Sequence, residues 1–194
     1  MKKLLIIFIL VIISCKTQQD IKISELYNNT YVTLSENFRQ PNSDSICLNI
    51  PLEFEITVPD DTNKLRFQLF VDNHYKQYIN DYTIKYTKND IEQILYDGID
   101  FKGIKNPEKI KIKLLIENIL ISKKNANTLL KKYNEESINV DNIKKRDSIR
   151  LTPYINFRNE NIEIMNNVRK KNSILLMSII KGNENLSKKY KINW

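Results

Sequence analysis

The chain holds two cysteines, Cys15 and Cys47, and one histidine, His74. Cys47 with His74 is the pairing that could supply a thiol nucleophile and its base. Neither lies in a catalytic signature, and no charge near Cys47 in sequence would lower its pKa. Cys47 is expected on the wet face of a strand. A second candidate is Glu53 with Glu55. On a strand they share a face about 7 Å apart, near the carboxylate spacing of glycoside hydrolysis, yet alternating glutamates also simply keep a strand face soluble. Asp60, Asp61 and Asn63, like Asp97 and Asp100 around Gly98, offer oxygen ligands without a calcium-loop pattern and are expected to be turns. Three glycines, Gly98, Gly103 and Gly182, form neither GxGxxG nor GxxxxGK[ST], so no nucleotide-phosphate cradle is indicated. No G-x-S-x-G elbow is present. These residues predict no catalytic centre, no cofactor and no metal site. What stands out instead is NHYKQYINDYTIKY, residues 73–86, with His74, Tyr75, Tyr78, Tyr82 and Tyr86 close together. Tyrosine joins an apolar face to a polar tip, which suits contact with a protein or a sugar. Tyr82 and Tyr86 share the face of Ile84 and are expected in the core. Tyr75 and Tyr78 remain as the exposed pair expected to meet a partner.

The elements that would position these residues begin with SICLNIPLEFEITVP. Ile46, Leu48, Ile50, Leu52, Phe54, Ile56 and Val58 alternate with Cys47, Asn49, Pro51, Glu53, Glu55 and Thr57. Period two predicts a strand with one buried face. Pro51 cannot donate to a ladder and predicts an edge, a bulge or a crossing between sheets. After the turn at 60–63, Leu65, Phe67, Leu69 and Val71 alternate again, which predicts an antiparallel partner. Tyr82, Ile84 and Tyr86 begin a third run. Asn89 or Asp90 is expected to cap a brief helix carrying Ile91, Ile94 and Leu95. Ile110 to Ile121 predicts a strand covered on both faces beyond Leu114. Its cover is expected to be a helix with Ala126, Leu129, Leu130 and Tyr133 on one stripe. Residues 135–150 read as an exposed loop or loose helix. Ile155 with Phe157, and Ile162 with Ile164, alternate briefly. Residues 160–180 are read as two strands joined at Arg169 to Asn172, with a helix as the alternative, since Ile164, Val168, Leu175 and Ile179 also fit helical spacing; Tyr190, Ile192 and Trp194 predict a last strand. The sum is an all-β fold, a small antiparallel β-sandwich with one or two short helical insertions.

The N-terminus carries a different kind of information. Lys2 and Lys3 precede ten apolar residues, Leu4 to Ile13, then Ser14 and Cys15. As a helix that run would span about 15 Å, half of a bilayer's hydrocarbon core of about 30 Å. Charged start, apolar middle and small-residue exit are the zones of an export signal. The order Ile12, Ile13, Ser14, Cys15 resembles the lipobox of bacterial lipoprotein precursors. The resemblance implies cleavage after Ser14, a diacylglycerol thioether on Cys15 and a further acyl group on the new amine. Two or three chains make a durable anchor, since each buried methylene contributes about 0.8 kcal/mol. The expected division is a signal peptide over 1–14, a lipidated tether over 15–24 and one sandwich domain over 25–194. Lys16 follows the cysteine where an aspartate would retain a lipoprotein at the inner membrane in well-studied Gram-negative bacteria. The expectation is an outer-membrane anchor, on the periplasmic or the surface side.

Net charge is +8, and Lys2 and Lys3 supply two of those charges within 1–14. The other basic residues are scattered, Lys111 and Lys113, Lys131 and Lys132, Lys144 to Arg146, Arg169 to Lys171. A nucleic-acid stripe would cluster them, so no nucleic-acid partner is expected. The expected partners are the membrane, through lipid on Cys15, and a protein of the cell envelope. In gross plan this is similar to the outer-membrane lipoproteins of type VI secretion machines, with no shared motif. A non-enzymatic binding or assembly role is the leading reading. An envelope hydrolase acting on glycan or peptide, and an immunity lipoprotein, are the alternatives.

Overall fold

The structure is a computed structural model that describes residues 21–27, 29–41, 43–59, 61–88, 91–101, 109–133, 140–143 and 147–194. Ser14, Cys15 and the caps Asn89 and Asp90 lie outside the described residues, as does most of 135–146. The strands are β1 (Lys22–Leu26), β2 (Tyr31–Glu36), β3 (Ser45–Thr57), β4 (Lys64–Val71), β5 (His74–Tyr75) and β6 (Tyr82–Lys88). They continue with β7 (Ile91–Ile94), β8 (Ile99–Asp100), β9 (Lys109–Ser122), β10 (Ser148–Pro153), β11 (Ser173–Lys181) and β12 (Glu184–Lys191). Three helices join them: α1 (Lys123–Tyr133), α2 (Tyr154–Glu160) and α3 (Ile162–Arg169). The all-β reading holds, with small helical insertions.

Two antiparallel sheets share one core. The larger runs β10-β2-β3-β9-β6-β7, with β1 on β3 beyond the end of β2; the smaller runs β12-β11-β4-β5, with β8 also on β4. The long alternation became β3, which pairs with β9 along its whole length. Leu48, Ile50, Leu52, Phe54 and Ile56 are fully buried. Pro51 falls where β2 pairing has ended at Asn49 and β1 pairing begins at Glu53. That gap, with no partner strand on one side, tolerates a residue without an N–H. Phe54 meets Tyr190 of β12 edge-on with ring centroids 5.5 Å apart, which ties the two sheets together.

Five expectations need correction. β4 is not the hairpin partner of β3; it crosses into the smaller sheet and pairs with β11. That strand, the apolar run Ser173–Lys181 with Ser173, Leu175, Met177 and Ile179 buried, gives β4 a full-length ladder. The helix expected around Ile91 is instead β7, whose residues pair with Lys85 to Lys88. Ile91 and Ile94 are both exposed, so the i, i+3 apolar pair has nothing to bury against. Residues 162–169 are helix α3 and not a strand, and Ile155 with Phe157 lies in helix α2. Tyr154 with Phe157 and Met165 with Val168 are buried at three-residue spacing, the helical period that outweighs the brief alternations. β1 starts at Lys22, within the stretch read as tether, and Ile21 is already buried. Finally, β9 is not covered on both faces, because Leu115 is half-buried and Leu120 is 53% exposed. The expected stripe of α1 does pack inward, with Ala126, Leu129 and Leu130 buried. Among the described residues no helix is long and apolar enough to cross a membrane.

Candidate tyrosine groove

The residues with chemical potential separate into two groups, one neutralised and one on display. Glu53 accepts from Thr30 Oγ1 at 2.8 Å and faces Lys113 across the strand pair at 3.9 Å. Glu55 pairs with Lys109 at 2.8 Å. Lys113 in turn reaches Glu92 at 2.8 Å, and Lys85 reaches the same carboxylate at 2.9 Å. Glu53 thus belongs to a ladder of ion pairs across β3, β9, β6 and β7, and Glu55 is paired separately with Lys109 on β9. Burial pushes the Glu92 carboxyl up, and the hydrogen bonds from Lys113 and Lys85 together bring it below the usual range.

Cys47 and His74 sit in different sheets. Cys47 keeps the expected face of β3 but not the expected exposure: flanked by Ser35 on β2 and Leu120 on β9, its small side chain is 1% exposed. A central strand buries a small residue between two neighbours even on its outer face. Beside it Asn49 is also buried, and its amide donates to Thr33 Oγ1 at 3.2 Å and Ser35 Oγ at 3.0 Å. His74 is exposed on the two-residue strand β5.

The tyrosines are where side chains remain available. Tyr75, Tyr78, Tyr82, Tyr96, Arg66 and Asp97 line a groove of about 310 Å³. Tyr78 stands at its centre. Its ring meets Tyr82 edge-on at 5.4 Å and Tyr96 at 6.4 Å, and its hydroxyl donates to the Ile84 carbonyl at 3.3 Å. Tyr75 packs its edge against Phe70 at 5.9 Å while staying 54% exposed, and Tyr96 is 73% exposed. Burial pushes the Tyr78 hydroxyl up and the Tyr82 hydroxyl up to about 12, so both are phenols at neutral pH. Asp97 is held by Lys64, which donates to it, and by Arg66 at 3.4 Å, and the Lys64 hydrogen bond keeps its carboxyl below the ordinary range.

No family model, curated protein or solved structure matches the chain.

Backbone geometry explains how the groove is held open. Between β4 and β5, Asp72 and Asn73 have φ of 52° and 63°. This positive pair suits a two-residue hairpin, where Asp and Asn are favoured. Ile79 has φ of 67°, a conformation that a β-branched residue strongly resists. It is held there by its N–H to the Tyr82 carbonyl at 2.7 Å and by a closed turn beneath it. In that turn Gln77 N–H donates to Asp81 Oδ2 and Asp81 N–H to the Gln77 carbonyl, both at 2.8 Å, while Arg39 grips Asp81 Oδ1 at 2.8 Å. Gly98 closes the far side with φ of 106°, and an added Cβ would stand 2.2 Å from the Leu65 carbonyl oxygen.

Of the residues expected at a partner surface, Tyr75 is exposed and Tyr78 is half-buried between two other rings. Tyr82 is buried, as expected of the face of Ile84. Tyr96, Arg66 and Asp97 were not foreseen. Tyr96-Asp97-Gly98 carries only a turn signal, and it reaches Tyr78 through the pairing of β8 on β4, which no local pattern encodes.

Proposed function

We propose that the protein is a lipid-anchored lipoprotein of the cell envelope, held at the outer membrane through Cys15, that binds a protein partner through the tyrosine groove and performs no catalysis. The observation that carries the binding reading is the groove itself. Half-buried Tyr78 meets Tyr82 and Tyr96 edge-on, Tyr96 and Tyr75 are more than half exposed, and Arg66 and Asp97 sit beside them on a backbone whose positive-φ residues fix its shape. Tyrosine and arginine in a preformed pocket are the residues that dominate protein recognition. The anchor reading rests on the lipobox order at 12–15. Ile21 is buried in the body, and six residue steps from Cys15 extend at most about 22 Å. Such a tether would hold the groove near the headgroups, so effective concentration would favour any partner on the same surface.

Two experiments test this. Cells fed a labelled fatty acid should incorporate label into the wild type and not into Cys15→Ala; absence of label from both would remove the anchor. A photo-crosslinking residue placed at Tyr75 should yield a discrete envelope adduct that disappears when Tyr78→Ala and Tyr96→Ala are added. The same residue at Tyr27, exposed and outside the groove, should not yield it. Identical adducts from both positions, or none from Tyr75, would count against the groove.

A further inference from the structure

A second cavity lies between the sheets beside α3. It measures about 70 Å³, and β4, β9, α3 and the start of β11 all contribute to its wall. Ser173 and Trp194 line it, 1% and 7% exposed. Neither Ser173 Oγ nor Trp194 Nε1 has a hydrogen-bond partner among the described residues. Buried donors left unmet are uncommon, because each loses its water without replacement. Both residues are nonetheless firmly placed. The Ser173 carbonyl accepts from Ile192 N–H at 2.9 Å, and the Trp194 carbonyl accepts from Arg169 Nε at 2.8 Å. Two residues with unpartnered donors therefore line one cavity.

The rest of the wall says what would satisfy them. The indole N–H can only donate, so the missing partner is an acceptor. Half-buried Lys76 and exposed Lys171 add two ammonium groups. The acidic wall residues are Asp81 and Glu117. Asp81 is already engaged by Arg39 and by Gln77 N–H. Burial raises the Glu117 carboxyl above its ordinary value, against the attraction of Lys85. Leu69, Ile116 and Val168 supply apolar wall. The volume accommodates about five water-sized groups, the size of a carboxylate with a two- or three-carbon tail.

We propose that this cavity binds a short-chain monocarboxylate, whose oxygens accept from Ser173 Oγ and Trp194 Nε1 and whose tail lies against Leu69, Ile116 and Val168. The site is independent of the tyrosine groove and of the anchor. Trp194 is the sole tryptophan, so indole emission reads this cavity directly. The full chain is titrated with butyrate and, in parallel, with n-butylammonium. Butyrate should give a saturable emission change with half-saturation at or below about 1 mM, and n-butylammonium should give none. Ser173→Ala removes one buried donor at nearly constant shape and should weaken butyrate about tenfold. The indole N–H resonance should shift with the same midpoint. An emission and resonance that do not respond would mean a cavity filled with water only and would overturn the proposal. So would equal responses to both compounds, or an affinity unchanged in a folded Ser173→Ala.

Discussion

Between Ser45 and Thr57 the chain runs regularly and its apolar side chains vanish into the core, whereas among the described residues between Val71 and Gly98 three non-glycine residues hold positive φ and four large hydrophobic side chains stay more than half exposed. Those side chains are Tyr75, Ile79, Ile91 and Tyr96. In the first stretch local preference and global packing agree at nearly each position. In the second they conflict at Ile79, and the conflict is held in place by hydrogen bonds and an ion pair from Arg39. Agreement across levels stabilises a fold, and persistent local conflict marks where the fold holds a shape for another purpose. Substitutions should therefore act differently in the two stretches.

The largest expected effect is in the first. Phe54→Ala removes a fully buried ring and its edge contact with Tyr190, and should destabilise by about 3–5 kcal/mol. Urea denaturation would read it, and a loss under about 1 kcal/mol would mean that β12 does not seal the core as described. Next is Gly98→Ala. The new methyl group would meet the Leu65 carbonyl and the φ of 106° would remain unfavourable, so the loss should exceed about 1 kcal/mol. Because Gly98 lines the groove, the crosslink from Tyr75 should weaken with it, which Phe54→Ala should not cause while the protein remains folded. A smaller change of opposite sign is expected at Ile79→Gly. A left-handed conformation costs a non-glycine residue about 1–2 kcal/mol, and glycine's extra freedom in the unfolded chain returns about 0.4–1 kcal/mol of that. The net should be a gain of about 0.5 kcal/mol in unfolding free energy, read by urea denaturation. Destabilisation instead would show that Ile79 contributes contacts that outweigh its backbone strain.

The same contrast explains what could be read in the residues beforehand. β3 was legible because period-two alternation is a local signal and a half-buried strand has no competing explanation. The partition into two sheets was not. Asp61-Thr62-Asn63 supplies turn residues between two alternating runs, and nothing local distinguishes a hairpin there from a crossing into another sheet; the decision belongs to β11, more than a hundred residues later. At α3 the strand reading is preferred over the helical one because Ile162 and Ile164 alternate, while the buried pair that decides for the helix, Met165 and Val168, sits at helical spacing one turn further on. β7 was misread in the other direction, because its cross-strand partners and the charge ladder through Glu92 lie outside its own window. At the groove, Tyr75 and Tyr78 could be singled out by composition. Tyr96 and Arg66 could not, since only the placement of β8 and β4 side by side brings them to Tyr78. Cys47 shows the converse limit: alternation gave its face correctly, and exposure depended on strands on either side.

The finest test lies where the two regions meet. β9 takes an extra residue between Ile116 and Ile119 relative to Ile50 and Leu48 of β3. At this bulge Glu117 N–H turns to the Asp81 carbonyl at 2.9 Å, the base of the turn that strains Ile79. Burial raises the Glu117 carboxyl above its ordinary value, whereas Glu92, on the ladder, is lowered once its two lysines have offset burial. The linkage signs are therefore opposite. Glu117 favours the folded state fully below the unfolded pKa of about 4.3, and that contribution is lost as pH rises through its higher folded value. Glu92 contributes above the unfolded value and loses its contribution as pH falls through its lower folded one. Relative to wild type, Glu92→Gln should become progressively less stable as pH is raised toward about 4.3 and stay level above it, and Glu117→Gln should become progressively more stable as pH is raised beyond about 4.3. Added salt should shrink the Glu92 difference, since that carboxylate depends on exposed ion pairs. Screening Lys85 should leave the Glu117 difference intact or enlarge it, because Lys85 is what attracts the buried charge. Parallel slopes for the two variants would mean that the bulge does not desolvate Glu117, and the distinction between a neutralised outer ladder and a strained, partly buried junction would fail there.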